Sequence, residues 1–176
     1  IAFDTPEVKI QLDEAGKPIG VILKERRETN MLIEDYMLLA NVAVATDLAK
    51  RTGKAGLPEA IYRIHDVPDP ERIELLSQFL KILGYELLVH AGRVKGSDIN
   101  KLLESAKGKP EEYLIRVSTL RSMAKAVYST KNSGHYGLSF DFYTHFTSPI
   151  RRYPDLLIHR LVKHFTGGER MPEREW

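Results

Sequence analysis

Two consecutive arginines, Arg151 and Arg152, follow directly on Thr147-Ser148-Pro149-Ile150. Ser148 or Thr147 can cap a helix, and Pro149 suits the first helical position. The first-turn N–H groups of such a helix have no intrahelical partner and suit an anion. A cation at that end opposes the helix dipole, so helix stability does not explain Arg151. A planar guanidinium grips two oxygens at once, which makes a phosphodiester its natural partner. The competing reading leaves both arginines solvated or paired with Asp155. Pro154 removes one backbone donor and disfavours helical geometry at Tyr153. The expected shape is a short capped turn, a kink, then a helix from about Asp155. Leu156, Leu157, Leu161 and Val162 would be its buried stripe.

Upstream, residues 138–146 alternate at period two and read as a strand. Ser139, Asp141, Tyr143 and His145 would share one face, with Leu138, Phe140 and Phe142 on the other. Tyr143 and His145 would then point toward the Arg151 turn. Aromatics stack on bases and arginines hold phosphates, so the group could line a channel for a nucleic-acid strand. A satisfied structural histidine is the competing reading of His145.

The helix predicted from Thr29 or Asn30 to about Arg51 is apolar nearly all round at Met31–Ala45, the pattern of a buried helix. Its polar exceptions are Glu34, Asp35 and Asn41. Glu34 and Asn41 fall on one stripe, two turns apart. Buried, they need partners: either a structural hydrogen-bond pair or a salt bridge to the hairpin, or a ligand hydroxyl such as a ribose 2′-OH. Met123, Ala124, Val127 and Tyr128 read as a core stripe, with Arg121 and Lys125 on a solvated side. Arg63, His65 and Asp66 read as a structural cluster.

The rest of the chain must position these groups. Its 176 residues, 43% hydrophobic and 28% charged, suit one compact domain or a large piece of one. A net charge of +2 gives no global basic field, so any nucleic-acid contact must be local. With no cysteine, disulfides, zinc–thiolate sites and cysteine nucleophiles are excluded together. No apolar run approaches the ~18–20 residues that span a bilayer. The lack of cysteine fits a cytoplasmic protein, and a monomer is expected. Residues 6–12 and 19–25, around the turn Asp13–Pro18, predict a β-hairpin. Leu57–His65 reads as extended. Further helices are expected from Asp69-Pro70 to about Leu83, from Ser97 or Asp98 to about Lys107, and from Pro110 to about Val127. The fold class is α+β, helix-dominated: an N-terminal hairpin, about five helices and a short strand. No P-loop, Rossmann glycine pattern or Gly-x-Ser-x-Gly occurs, and the aspartates are scattered. That scatter offers no two-metal site within the chain. Opening on Ile1 and closing on Trp176, the chain reads as a piece of something longer.

His135-Tyr-Gly-Leu, then Tyr143-Thr-His-Phe-Thr-Ser-Pro-Ile-Arg-Arg-Tyr-x-Asp and His159-Arg160, resemble the signature of the ribonuclease II/ribonuclease R (RNB) exoribonucleases. Met31–Asn41, Phe3–Glu7, Tyr62–His65 and Arg121–Ser129 are similar to other segments of that family. The likeness runs from residue 1 to about 165 and leans toward the ribonuclease R branch. It implies processive hydrolysis of RNA from the 3′ end to nucleoside monophosphates, with Mg2+. Arg151 resembles the catalytic arginine on the scissile phosphate. Glu34 resembles the carboxylate that contacts the terminal ribose, and Asp35 stands where the family usually has a second Glu. Asn41, Tyr143, His145, Arg152 and Tyr153 would be RNA-binding. The family's metal-binding aspartates would lie before Ile1, so no metal ligand is assigned within the chain. Residues 1–170 would be the C-terminal portion of an RNB catalytic domain, and 171–176 the start of a linker. Single-stranded RNA is the implied partner, and the piece alone would be inactive. The alternative is a non-catalytic RNA-binding or scaffold module with the same fold.

Overall fold

Residues 1, 8–23, 27–52 and 59–167 are described by a computed structural model. The expected linker at 171–176 and the Phe3–Glu7 match lie outside these residues, as do positions 57 and 58 of the expected extended segment. β1 (Val8–Leu12) and β2 (Pro18–Leu23) pair antiparallel as the predicted hairpin. Asp13 closes its turn, because its Oδ1 accepts the N–H groups of Ala15 at 3.0 Å and Lys17 at 2.8 Å. Gly16 supplies the positive φ of 79°.

Helix α1 (Glu28–Arg51) follows the expected span but is not buried along its length. Only Asn41, Ala45 and Leu48 are buried; Met31, Leu32, Ile33, Tyr36 and Met37 are exposed. The C-terminal half packs on the body while the first turns lie outside it. Glu34 is therefore an exposed carboxylate, not a buried one.

β3 (Tyr62–Ile64) pairs antiparallel with β4 (Val127–Ser129), placing Arg63 opposite Tyr128. Between them run α2 (Pro70–Ile82), α3 (Gly96–Ala106) and α4 (Glu112–Ser122). α2 begins as its sequence predicts: Asp69 caps it by accepting the Glu71 N–H at 2.8 Å, and Pro70 takes the first position. Gly84 at φ 81° lets the chain turn away after it. α4 stops at Ser122, short of the expected Val127. The β-prone Val127 and Tyr128 instead join β3, which leaves both exposed rather than in the core.

The last helix, α5 (Tyr153–Gly167), starts two residues before the expected Asp155. Two apolar clusters result. One gathers Ile73, Leu76, Leu80, Leu87, Ile99, Leu102 and Ile115 among α2, α3 and α4. The other joins Ala45 and Leu48 of α1, Tyr62 and Ile64 of β3, and Ile158 and Leu161 of α5. The 143–152 segment and Asn41 lie on elements joined by the second cluster, whereas Glu34 lies on the exposed turns of α1.

Candidate functional site

The turn before α5 separates the two arginines. The Ser148 carbonyl accepts the N–H groups of Arg151 at 3.3 Å and Arg152 at 3.1 Å. Asp155, 0% exposed, then clamps the turn with one oxygen: Oδ1 accepts the Ser148 N–H and an Arg152 guanidinium N–H, each at 2.7 Å. A carboxylate in the first turn also suits the helix dipole. The turn ahead of α5 is thus held by the Ser148 carbonyl and the Asp155 carboxylate, not by a Ser or Thr hydroxyl. Arg152 is drawn inward, while Arg151 stays exposed and has no ion-pair partner among the described residues. Pairing with Asp155 holds for one arginine only.

The predicted strand at 138–146 does not form. Residues 136–139 make a turn, with Ser139 at φ 58° and the His135 N–H donating to the Phe140 carbonyl at 2.8 Å. Only the end of the segment runs beside β3. There the Arg63 N–H donates to the Tyr143 carbonyl at 2.9 Å, and the Thr144 hydroxyl donates to the Ile61 carbonyl at 2.6 Å. The two predicted faces mix as a consequence: Phe140 stacks on Tyr143 with ring centroids 5.8 Å apart.

Tyr143 and Asn41 are packed inside this junction. Tyr143 is 6% exposed, and its hydroxyl accepts from Asn41 Nδ2 at 3.2 Å. Asn41 Oδ1 accepts the Phe146 N–H at 2.9 Å. Asn41 is therefore a clip between α1 and the 143–146 segment. His159 adds a second tie, with Nε2 2.9 Å from the Phe146 carbonyl and its ring stacked 4.0 Å from Phe146.

His145 sits at the opening of the junction. Its Nδ1 lies 2.7 Å from the Tyr128 hydroxyl, and its ring meets those of Tyr128 and Tyr143 edge-on. The Arg63 guanidinium covers the Tyr128 ring at 4.7 Å from its centroid. Burial pushes the His145 pKa down to about 4, helped by the guanidinium charges of Arg152, Arg63 and Arg151, while Asp155 opposes. Three arginines therefore act on one half-buried imidazole. His135 is also lowered to about 4, first by burial and then by the neighbouring His65. Both rings are neutral at neutral pH. His65 itself is fully engaged: Nε2 lies 2.9 Å from the Ala124 carbonyl and Nδ1 accepts the Gly137 N–H at 3.0 Å. Gly137 is required there, since a Cβ would come within 2.6 Å of Nδ1.

The fold brings together Arg151, Arg152, Tyr143, His145 and Asn41. Tyr153 is exposed at the start of α5, and Glu34 and Asp35 are exposed on the outer turns of α1. Sequence reasoning missed Arg63 and Tyr128 as members of this group. The signal available was the β-propensity of Val127-Tyr128-Ser129, which argues for a strand and against a core helix stripe. Among the described residues no three His, Asp or Glu side chains come together to hold a metal, and no helix is long and apolar enough to cross a membrane. What the group can do is hold an anion at an exposed guanidinium backed by further positive charge and flanked by aromatic rings.

The RNB domain matches residues 1–168. Ribonuclease R of Aquifex aeolicus is 43% identical over 169 residues, covering 96% of this chain and 23% of that protein. The chain spans 20–26% of the length of such curated relatives. The solved structure of Mycoplasma genitalium RNase R in complex with ribose-methylated single-stranded RNA superposes with a TM-score of 0.85 at 29% identity, over 98% of this chain and 26% of that one. Yeast Ssd1, described as a pseudonuclease, shares the fold with a TM-score of 0.69 at 23% identity, over 85% of this chain and 18% of its own.

Proposed function

This chain belongs to the RNB domain family, and we propose that it forms the C-terminal portion, residues 1–170, of the catalytic domain of a 3′-to-5′ exoribonuclease. The protein that contains it hydrolyses single-stranded RNA processively to nucleoside monophosphates. The observation that carries this reading is Arg151, held outward and exposed by a turn that Asp155 clamps from within. Its guanidinium takes two oxygens of the scissile phosphate and opposes the charge that grows there during cleavage. Because the turn is braced before substrate arrives, no reorganisation is needed at the moment of reaction. The neighbouring Arg63 adds to the local positive potential, Arg152 being balanced by Asp155, and the neutral His145 adds a polar edge.

Mg2+ supplies an activated water and braces the leaving oxygen in two-metal phosphodiester hydrolysis. The described residues of this chain do not form a site for it. In this reading its carboxylate ligands lie outside the chain, and no step here is routed through the metal. Glu34, exposed on α1, contacts the terminal ribose 2′-OH and favours RNA over DNA. The M. genitalium RNase R solved with single-stranded and with double-stranded RNA supports RNA as the substrate class.

Hydrolysis of an end-labelled oligoribonucleotide with Mg2+ tests the reading. In the intact protein, Arg151→Lys is expected to lower turnover by about 10²–10³-fold, with a smaller change in affinity. An unchanged rate would remove Arg151 from the site. The 176-residue chain alone is expected not to turn over RNA, and robust cleavage by it would overturn the assignment of the metal ligands elsewhere. A second reading, a non-catalytic RNA-binding or scaffold module, is favoured by one observation: a pseudonuclease has the same fold. Tight RNA binding by the intact protein with no turnover at any Mg2+ concentration would select it.

A further inference from the structure

Arg63, Tyr128 and His145 come from three separate stretches of chain, and backbone pairing puts them side by side. Arg63 on β3 stands directly opposite Tyr128 on β4. The Arg63 N–H also binds the Tyr143 carbonyl, which brings His145, two residues on, to the same edge. The Tyr128 ring is then fixed at two points. Arg63 covers one face at 4.7 Å, and the hydroxyl lies 2.7 Å from His145 Nδ1. Even so, the residue remains 39% exposed. An aromatic ring that is exposed yet immobilised has already lost the side-chain freedom that a ligand would otherwise have to remove.

His145 is oriented by the same contact. A phenol is the stronger hydrogen-bond acid, so the Tyr128 hydroxyl donates to Nδ1 and the ring proton sits on Nε2. Nε2 has no partner among the described residues and is not among the buried unsatisfied atoms. The edge therefore offers a flat π-face, a neutral N–H donor and, at Arg63 and Arg151, two guanidinium groups.

We propose that Tyr128, His145 and Arg63 form a nucleotide subsite beside the Arg151 turn, in which Tyr128 stacks on one base of a single-stranded RNA and His145 Nε2–H donates to that strand's sugar–phosphate. Stacking tolerates any base, so the subsite holds the strand without reading its sequence. Its role is to fix the register of the strand against Arg151. The inference rests on the RNA reading above.

The test uses the intact protein, in EDTA so that no cleavage occurs, and oligoribonucleotides carrying 2-aminopurine at successive positions from the 3′ end. Wild-type protein should quench fluorescence by stacking at one position, and Tyr128→Leu should abolish that quenching. Tyr128→Leu should also weaken binding by about 5–150-fold, the range for loss of one base–aromatic stack. Tyr128→Trp should retain both signals, which a merely structural tyrosine would not allow. His145→Gln, which keeps a donor, should bind more tightly than His145→Ala. Circular dichroism checks that each variant is folded, and a misfolded Tyr128→Leu is replaced by Tyr128→Ser. If no position loses its quenching when Tyr128 is replaced in folded protein, the subsite is wrong. If wild-type protein fails to bind the oligoribonucleotide at all, the RNA reading itself falls. Binding and Arg151-dependent turnover that persist with unaltered quenching overturn this inference alone.

Discussion

Arg151 and Arg152 are chemically identical neighbours in opposite surroundings. Arg152 is 2.7 Å from a carboxylate that is 0% exposed, whereas Arg151 faces outward. The inward charge is balanced; the outward one is available to an anion. The same positive field acts on His145, whose pKa of about 4 comes first from burial and then from Arg152, Arg63 and Arg151. A consequence for stability follows. The unfolded chain protonates this imidazole near its ordinary 6.5, and the folded chain only near 4. Between those values the unfolded state binds more protons, so stability held above about pH 6.5 is lost as pH falls toward about 4. His135, also lowered to about 4, adds to the loss. The urea midpoint should drop between pH 7 and pH 4.5, and His145→Gln should flatten that dependence. An equal slope in wild type and variant would mean that His145 is not charged on unfolding. Also at this scale, Glu34→Gln in the intact protein should narrow the preference for an RNA over a DNA oligonucleotide, read as the ratio of their degradation rates.

At the scale of elements, the turn 148–152 is held by α5 through Asp155. One buried carboxylate oxygen accepts both the Ser148 amide and the Arg152 guanidinium. Arg152 Nε and Asp155 Oδ2 are buried without hydrogen-bond partners among the described residues. The pair is therefore incompletely satisfied, and its use is to fix geometry more than to add net stability. Removing Asp155 still leaves the partly buried Arg152 guanidinium without its counter-charge. Asp155→Ala should cost about 3–5 kcal/mol by thermal or urea denaturation. A loss below about 1 kcal/mol, the size of a surface pair, would show that the clamp is not formed in solution. β3 is the other organising element. It pairs with β4 on one side and with Tyr143 on the other, so Arg63, Tyr128 and His145 meet although they are far apart in sequence.

At the scale of the whole molecule, apolar surface is unevenly distributed. The two clusters are closed, but Val8, Ile10, Leu12, Val21 and Leu23 of the hairpin and Met31, Ile33 and Met37 of α1 are exposed. Apolar surface of this kind in contact with water binds hydrophobic dyes and favours association. The 176-residue chain alone is expected to raise the fluorescence of an anilinonaphthalene sulfonate dye at neutral pH, and Val21→Lys with Ile33→Lys to reduce it. A flat dye response would mean that this surface is covered in solution. Glu34 lies on the exposed stretch, which places the proposed ribose contact outside the packed clusters.

Elements were legible wherever neighbouring residues decide them. Asp69-Pro70 announces α2 because a carboxylate cap and a fixed φ act within one turn. Asp13–Lys17 announces the hairpin for the same local reason. The arginine turn and the family signature around it were equally readable, since their residues are consecutive. The 138–146 segment shows the limit. Its period-two pattern is real, yet hydrogen bonds back to His135 make a turn instead of a strand. α1 shows it again, because an all-round apolar helix reads as buried whether or not something covers its first turns. Only tertiary structure decided which arginine faces outward, that Asn41 grips Tyr143 from 102 residues away, and that Tyr128 stands exposed beside His145. Those outcomes depend on pairings between distant segments, and local periodicity carries no term for them.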